Sequence, residues 1–271
     1  MHAFVRLVRC LTVATLALAT SSALGAATAA EKVGVVLMHG ELGAPARVID
    51  SLAHALEKAG YLVGRPDMCW SARRGYEATF DECLATIDDA IVRLKNLGAT
   101  SIAVGGFSLG GNGAIAFGAG HHGLLGVFAL APAHDALGIA ERPDIAESIA
   151  RAQKLVADGK GEEPTSFDDV AFGPAGAYTT ELATTPTIYL SFFGPASHAN
   201  IADNSRRLTS PLLWVAGAGD PTQSGAKDAF ASVPANALSR YVVVASSHEG
   251  TPARSTDAVL AWLKDVAAAK P

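Results

Sequence analysis

The chain has 271 residues, with 21 Lys and Arg against 26 Asp and Glu, a formal charge of −5. Hydrophobic residues make up 49% and charged residues 17%, which excludes a disordered chain and provides for a large buried core. The mildly acidic balance contains no basic runs, so nucleic acid is excluded as a partner, since phosphates require clustered Lys and Arg.

Residues 1–30 have the order of a cleaved export signal. Arg6 and Arg9 form a basic start, residues 10–19 are apolar, and small residues follow as far as Ala30. The apolar run is too short to span a bilayer, so no stable membrane anchor is expected. Residues 31–271 are then an exported protein, periplasmic or secreted, with 19 basic against 26 acidic residues and a charge of −7. Cys10 leaves with the signal. The remaining pair, Cys69 and Cys83, is expected to form a disulfide in an oxidising compartment.

From residue 33 the pattern alternates between short apolar runs and helical periodicity. Residues 33–38 (VGVVLM) read as a strand covered on both faces. Residues 44–59 read as a helix with Val48, Leu52, Ala55 and Leu56 on one face and Gly60 as its stop. A strand at 61–63, a helix at 79–97, a strand at 100–106, a helix at 110–119 and a strand at 124–130 follow. Further strands are expected at 211–216 and 241–245, with a last amphipathic helix at 257–268. This alternation predicts an α/β fold, a mostly parallel sheet of about six strands with helices on both faces. Residues 133–208 break the rhythm. They contain one helical stretch, 142–157, and then a Gly/Pro/Thr-rich run, and are expected to form a lid-like insertion in a single domain.

The motif that carries chemistry is Gly106-Phe107-Ser108-Leu109-Gly110, placed between a strand and a helix. That context suits a nucleophilic serine on a sharp turn, flanked by glycines because the backbone passes too closely for side chains. A serine hydroxyl needs a base, and the base needs an acid to hold it. Asp220 closes the strand at 211–216 and His248 follows the strand at 241–245, so both fall at the same sheet edge as Ser108. Asp203 and Asp228 are the nearest alternatives for the acid, but neither closes a core strand. Thr251-Pro252 reads as an N-cap followed by a first helical proline.

His54 falls in a helix, His121 and His122 at the wrong sheet edge, and His198 in the insertion. His134 follows the fourth strand at the correct edge and is expected to line the site or to cap a turn. No pair of residues has metal-ligand spacing, and no glycine loop with a lysine cradles phosphate, so no metal and no cofactor are expected.

His39-Gly40-Glu41-Leu42-Gly43 directly follows the first strand. With this loop, the Ser108 turn and the Asp220 and His248 loops, the chain resembles the α/β-hydrolase superfamily, in a compact esterase-like or dienelactone-hydrolase-like form. It has no counterpart of two strands that precede this one in larger members. The resemblance implies a three-layer α/β-hydrolase fold and an oxyanion hole formed by the backbone N–H groups of Glu41 and Leu109. Trp70 is expected as a pocket wall near the catalytic edge. Phe192 and Phe193 are expected either to line the substrate pocket or to pack the underside of the lid. The Cys69–Cys83 bridge would pre-order the Trp70 wall, so that reduction would raise KM more than it lowers kcat.

The reading that follows is a serine hydrolase acting on an ester or related small acyl compound through an acyl-enzyme. Two alternatives stay open: peptide, amide or lactone cleavage with the same residues, and a catalytically silent exported binding module. The expected partner is a small molecule, and the sequence gives no oligomeric state.

Overall fold

The computed structural model describes residues 1–2, 32–173 and 176–269. The chain divides into two units, Met1–Ala30 and Glu31–Pro271. The expected export signal falls in the first, outside the described residues. The architecture below is that of the second.

The elements run β1 (Val33–Met38), α1 (Asp50–Lys58), β2 (Leu62–Gly64), α2 (Phe80–Asn96), β3 (Ser101–Phe107), α3 (Leu109–Gly120) and β4 (Gly126–Leu130). The insertion follows as α4 (Ala136–Ala140), α5 (Pro143–Ala157), β5 (Thr165–Gly173), β6 (Gly176–Thr184), α6 (Pro186–Phe193) and α7 (Ile201–Arg206). The chain then returns to the sheet through β7 (Leu212–Gly217), α8 (Ala226–Ala231), β8 (Arg240–Val244), α9 (Thr251–Arg254) and α10 (Thr256–Ala268).

Six strands form one sheet in the order β2-β1-β3-β4-β7-β8, and every adjacent pair is parallel. Alternate residues of each strand feed two cores. Val36, Met38, Val104 and Ala129 point into one with α2 and α3, while Val35, Leu37, Ala103 and Phe128 join Leu52, Leu56 and Trp262 on the other. Helices therefore cover both faces, and the central strands β1, β3, β4 and β7 are buried along their whole length. The order reverses between β1 and β3, so the loops leaving these two strands diverge and open a crevice at their carboxyl ends. Among the described residues no helix is long and apolar enough to cross a membrane.

Four sequence expectations require correction. The helix expected from residue 44 begins at Asp50, because residues 42–43 are tied to a neighbouring loop by Leu42 N–H donating to Trp70 O (2.9 Å) and Ala72 N–H to Gly43 O (3.1 Å). Ile49, fully buried, takes the core position assigned to Val48, which is 37% exposed. The run at 158–185 contains an antiparallel hairpin, β5–β6, where the sequence suggested loop. Thr251 is not an N-cap but the first residue of α9, with Gly250 at the cap and Pro252 next.

The insertion is joined to the body by aromatic packing. Phe167, Tyr189 and Phe193 stack in sequence at 4.4 Å centroid separations. Phe192 meets Tyr76 at 4.7 Å and Phe80 at 5.3 Å, edge to face.

Candidate active site

Ser108 stands between β3 and α3 with φ 55° and ψ −124°, a conformation that side-chain-bearing residues rarely adopt. Its neighbours explain why the turn is possible only here. A Cβ on Gly106 would meet Gly110 O at 2.4 Å, and one on Gly110 would meet His39 O at 2.5 Å. The turn is pinned by Ser108 N–H donating to Leu130 O (3.0 Å), with Gly111 N–H (2.8 Å) and Asn112 N–H (3.1 Å) returning to Ser108 O. Leu42, Ala131 and His134 also have positive φ, so backbone strain gathers in the loops around Ser108.

The structure brings the three distant candidates together. His248 Nε2 lies 3.0 Å from Ser108 Oγ, and His248 Nδ1 lies 2.7 Å from Asp220 Oδ2. The Asp220 side chain is fully buried and that of His248 is 22% exposed. Asp220 caps a single 3-10 turn, Pro221–Gln223, so its Oδ1 accepts from Thr222 N–H (2.9 Å) and Thr222 Oγ1 (2.8 Å). Burial opposes ionisation of Asp220, but the hydrogen bond and charge of His248, with the two Thr222 donors, outweigh it and hold the carboxyl below the usual range. The His248 ring rests on Phe107 at 4.7 Å. Thr222 was not singled out from the sequence; the Asp-Pro-Thr cap is the signal that marks it.

Glu41 follows β1 and Leu109 opens α3. Among the described residues neither backbone N–H donates to another backbone group, and Leu109 adds the positive end of a helix. The loop carrying Glu41 is held from behind. His39 Nδ1–H donates to Gly40 O (2.7 Å) and its Nε2 accepts from Met68 N–H (3.1 Å), an arrangement that requires the uncharged ring. Burial lowers the His39 pKa accordingly, against the Gly40 carbonyl and Asp67.

Trp70, expected as a pocket wall, is fully buried, and its Nε1–H donates to His39 O at 3.1 Å. It is a buttress of the Glu41 loop, because an indole in the core places its one donor on a free carbonyl. Phe192 and Phe193 are also fully buried, Phe192 against Tyr76 and Phe80 of the body and Phe193 against Tyr189 of the insertion, and neither lines the open cleft. Cys69 and Cys83 form a disulfide with Cα atoms 5.5 Å apart, joining the Trp70 loop to the first turn of α2. An open cleft of about 610 Å³ lies instead beside the acid loop, lined by Ala133, His134, Ile139, Val170, Trp214 and Thr222.

His134 lies at that cleft but is 7% exposed, and its backbone carbonyl accepts from Asn112 Nδ2 (2.7 Å). Burial lowers its pKa to about 4, so the ring is neutral. The Glu41 side chain turns inward to Asp169 of β5. Burial first, and then each other's charge, raises the Glu41 carboxyl well above its ordinary range; Asp169 is pushed up to about 6, mainly by burial. The pairing was invisible in the sequence because Asp169 lies in the unforeseen hairpin.

No protein-family model matches the chain, and no curated protein matches it significantly. Solved structures do. A monoacylglycerol lipase from Paleococcus ferrophilus aligns at TM-score 0.63 and 19% identity, over 86% of this chain and 94% of that one. Est1E from Butyrivibrio proteoclasticus, with ferulic acid bound, aligns at 0.60 and 18%, over 88% and 90%. The alpha/beta hydrolase GrgF from Penicillium sp. sh18 aligns at 0.63 and 16%, over 89% and 92%. At these identities the likeness is one of architecture. Together with the six-stranded parallel sheet and its two helical layers, it gives the chain the α/β-hydrolase fold.

Proposed function

We propose that the protein is a serine hydrolase that cleaves an ester or related small acyl compound. The observation that carries this reading is the unbroken chain from Asp220 Oδ2 through His248 to Ser108 Oγ, with links of 2.7 and 3.0 Å. Ser108 Oγ attacks the carbonyl carbon while His248 Nε2 takes its proton. The N–H groups of Glu41 and Leu109 receive the negative oxygen of the tetrahedral intermediate, a contribution worth roughly 10²–10³ in rate per donor. As the C–O bond breaks, His248 returns the proton to the departing alcohol and leaves an acyl-Ser108 ester. Water, deprotonated by the same imidazole, attacks that ester, and its collapse restores Ser108 and releases the acid. Asp220 keeps the His248 tautomer with Nδ1–H and stabilises the imidazolium in both halves.

The cleft beside Thr222 and His134 is the proposed place for the substrate's bulk, because the positions beneath the Glu41 loop are filled by Trp70. Export to an oxidising compartment is part of the same reading, and the Cys69–Cys83 bridge supports it. A fluorophosphonate should label Ser108 in the wild type and leave Ser108→Ala unlabelled, with kcat on p-nitrophenyl esters falling by several orders of magnitude. Unchanged ester turnover by pure Ser108→Ala would overturn the proposal. A panel of matched esters, amides and lactones then separates the three bond types.

A further inference from the structure

Three segments far apart in sequence meet beside the proposed oxyanion loop. Glu41 comes from the loop after β1, His134 from the loop after β4, and Asp169 from β5 of the insertion. One carboxylate oxygen, one imidazole nitrogen and one carboxylate oxygen lie within 4.8 Å of one another.

Their hydrogen-bond accounts do not close. His134 is the most constrained of the three, with a side chain only 4% exposed. Its Nε2 faces Phe192 O at 3.3 Å, and a carbonyl can only accept, so Nε2 carries the proton. Nδ1 of the neutral ring then carries a lone pair on the side of Glu41. Its near partner is Glu41 Oε2 at 3.9 Å, which is too far for a hydrogen bond and is itself an acceptor. Glu41 Oε1 is buried with no hydrogen-bond partner. Asp169, 3% exposed, spends Oδ1 on its neighbour's Val170 N–H at 2.6 Å. A proton on either acid does not reach the His134 ring, whose Nδ1 lies 3.9 Å from Glu41 Oε2. A cation at the centre meets all three.

We propose that Glu41, His134 and Asp169 form a binding site for one divalent first-row metal ion. For three atoms no more than 4.8 Å apart there is always a point within 4.8/√3, about 2.8 Å, of all of them. Zinc bonds to His and carboxylate of roughly 2.0–2.2 Å then require each ligand to close in by no more than about 0.8 Å. An imidazole with two carboxylates suits zinc or its neighbours, whereas calcium takes six to eight oxygens. The Nε2–H bond to Phe192 O is the outer contact that orients a metal-bound histidine. The bound ion links the Glu41 loop to the insertion, and it plays no part in the proposed attack by Ser108.

The test uses tag-free mature Ser108→Ala protein, so that it does not depend on hydrolysis. After dialysis against chelator, the protein is titrated with zinc chloride by calorimetry. One equivalent should bind, and Asp169→Asn and His134→Gln should each weaken the dissociation constant by on the order of 100-fold while circular dichroism is retained. X-ray absorption of the zinc-loaded wild type should show one imidazole in an otherwise oxygen shell, a readout that stands even if a variant fails to fold. Absence of stoichiometric binding, binding that survives Asp169→Asn, or a shell with two or more imidazoles would each overturn the site.

Discussion

Breaking the Cys69–Cys83 bridge tests how the oxyanion loop is held. The bridge closes a loop whose ends are 14 residues apart, and the chain-entropy estimate for such a loop is about 3 kcal/mol, less any strain. For a domain of this size that corresponds to a fall in Tm of roughly 6–12 °C. The sequence alone pointed to a cost in KM, through a loosened Trp70 wall. The structure moves the cost to kcat. Four hydrogen bonds join the bridged segment to the Glu41 loop: Met68 N–H to His39 Nε2, Trp70 Nε1–H to His39 O, Leu42 N–H to Trp70 O, and Ala72 N–H to Gly43 O. Losing one oxyanion donor outright costs up to about 2.7–4 kcal/mol in the transition state. With the bridge cut, those four bonds still favour the native loop, and a correct loop in one molecule in ten would lower kcat about tenfold, or ~1.4 kcal/mol. KM should change little, because the cleft is lined by the β4 loop and the segment after Asp220. The assay is steady-state ester hydrolysis by wild type and by a Cys69→Ser, Cys83→Ser double variant, with thiols counted by mass spectrometry. A raised KM at unchanged kcat would refute the buttress.

Asp220→Asn should keep the fold and lower kcat by on the order of 10⁴, because the amide favours the wrong His248 tautomer; the measurement is kcat at neutral pH with Thr222 intact. The same pair gives a pH signature. Asp220 has a depressed carboxyl pKa, so its ionised form contributes stability above the ordinary value of 3.8, and that contribution is lost as pH falls through the lower folded value. The Tm gap between wild type and Asp220→Asn should therefore shrink below about pH 4; a widening gap on acidification would contradict the assignment. Gly106→Ala places a methyl 2.4 Å from Gly110 O, and calorimetry should find it destabilised by about 3 kcal/mol or more.

What was legible in the sequence was set by local backbone geometry. The Ser108 turn needs glycine on both sides because Gly106 and Gly110 face backbone atoms within 2.5 Å, and such a steric demand is written in five consecutive residues. Asp220 and His248 were legible for a related reason: in a parallel sheet, a residue directly after a strand is delivered to the carboxyl edge whatever its side chain does. The same rule delivers Glu41 and His134 to that edge, and there it stops being informative. It fixes where the backbone goes, not what the side chain meets. Asp220 turns to a histidine, which holds its carboxyl below the usual range, whereas Glu41 turns to a second acid in a buried place, which raises its own. The difference comes from Asp169, in a hairpin whose threonines, aspartates and glycines read as loop until packing against α5 and α6 makes it a strand. Trp70 is the parallel case, since an indole past a strand is wall or buttress according to a carbonyl at residue 39. Side-chain pairing across the insertion therefore decides the local chemistry around a nucleophile whose position is settled by five residues.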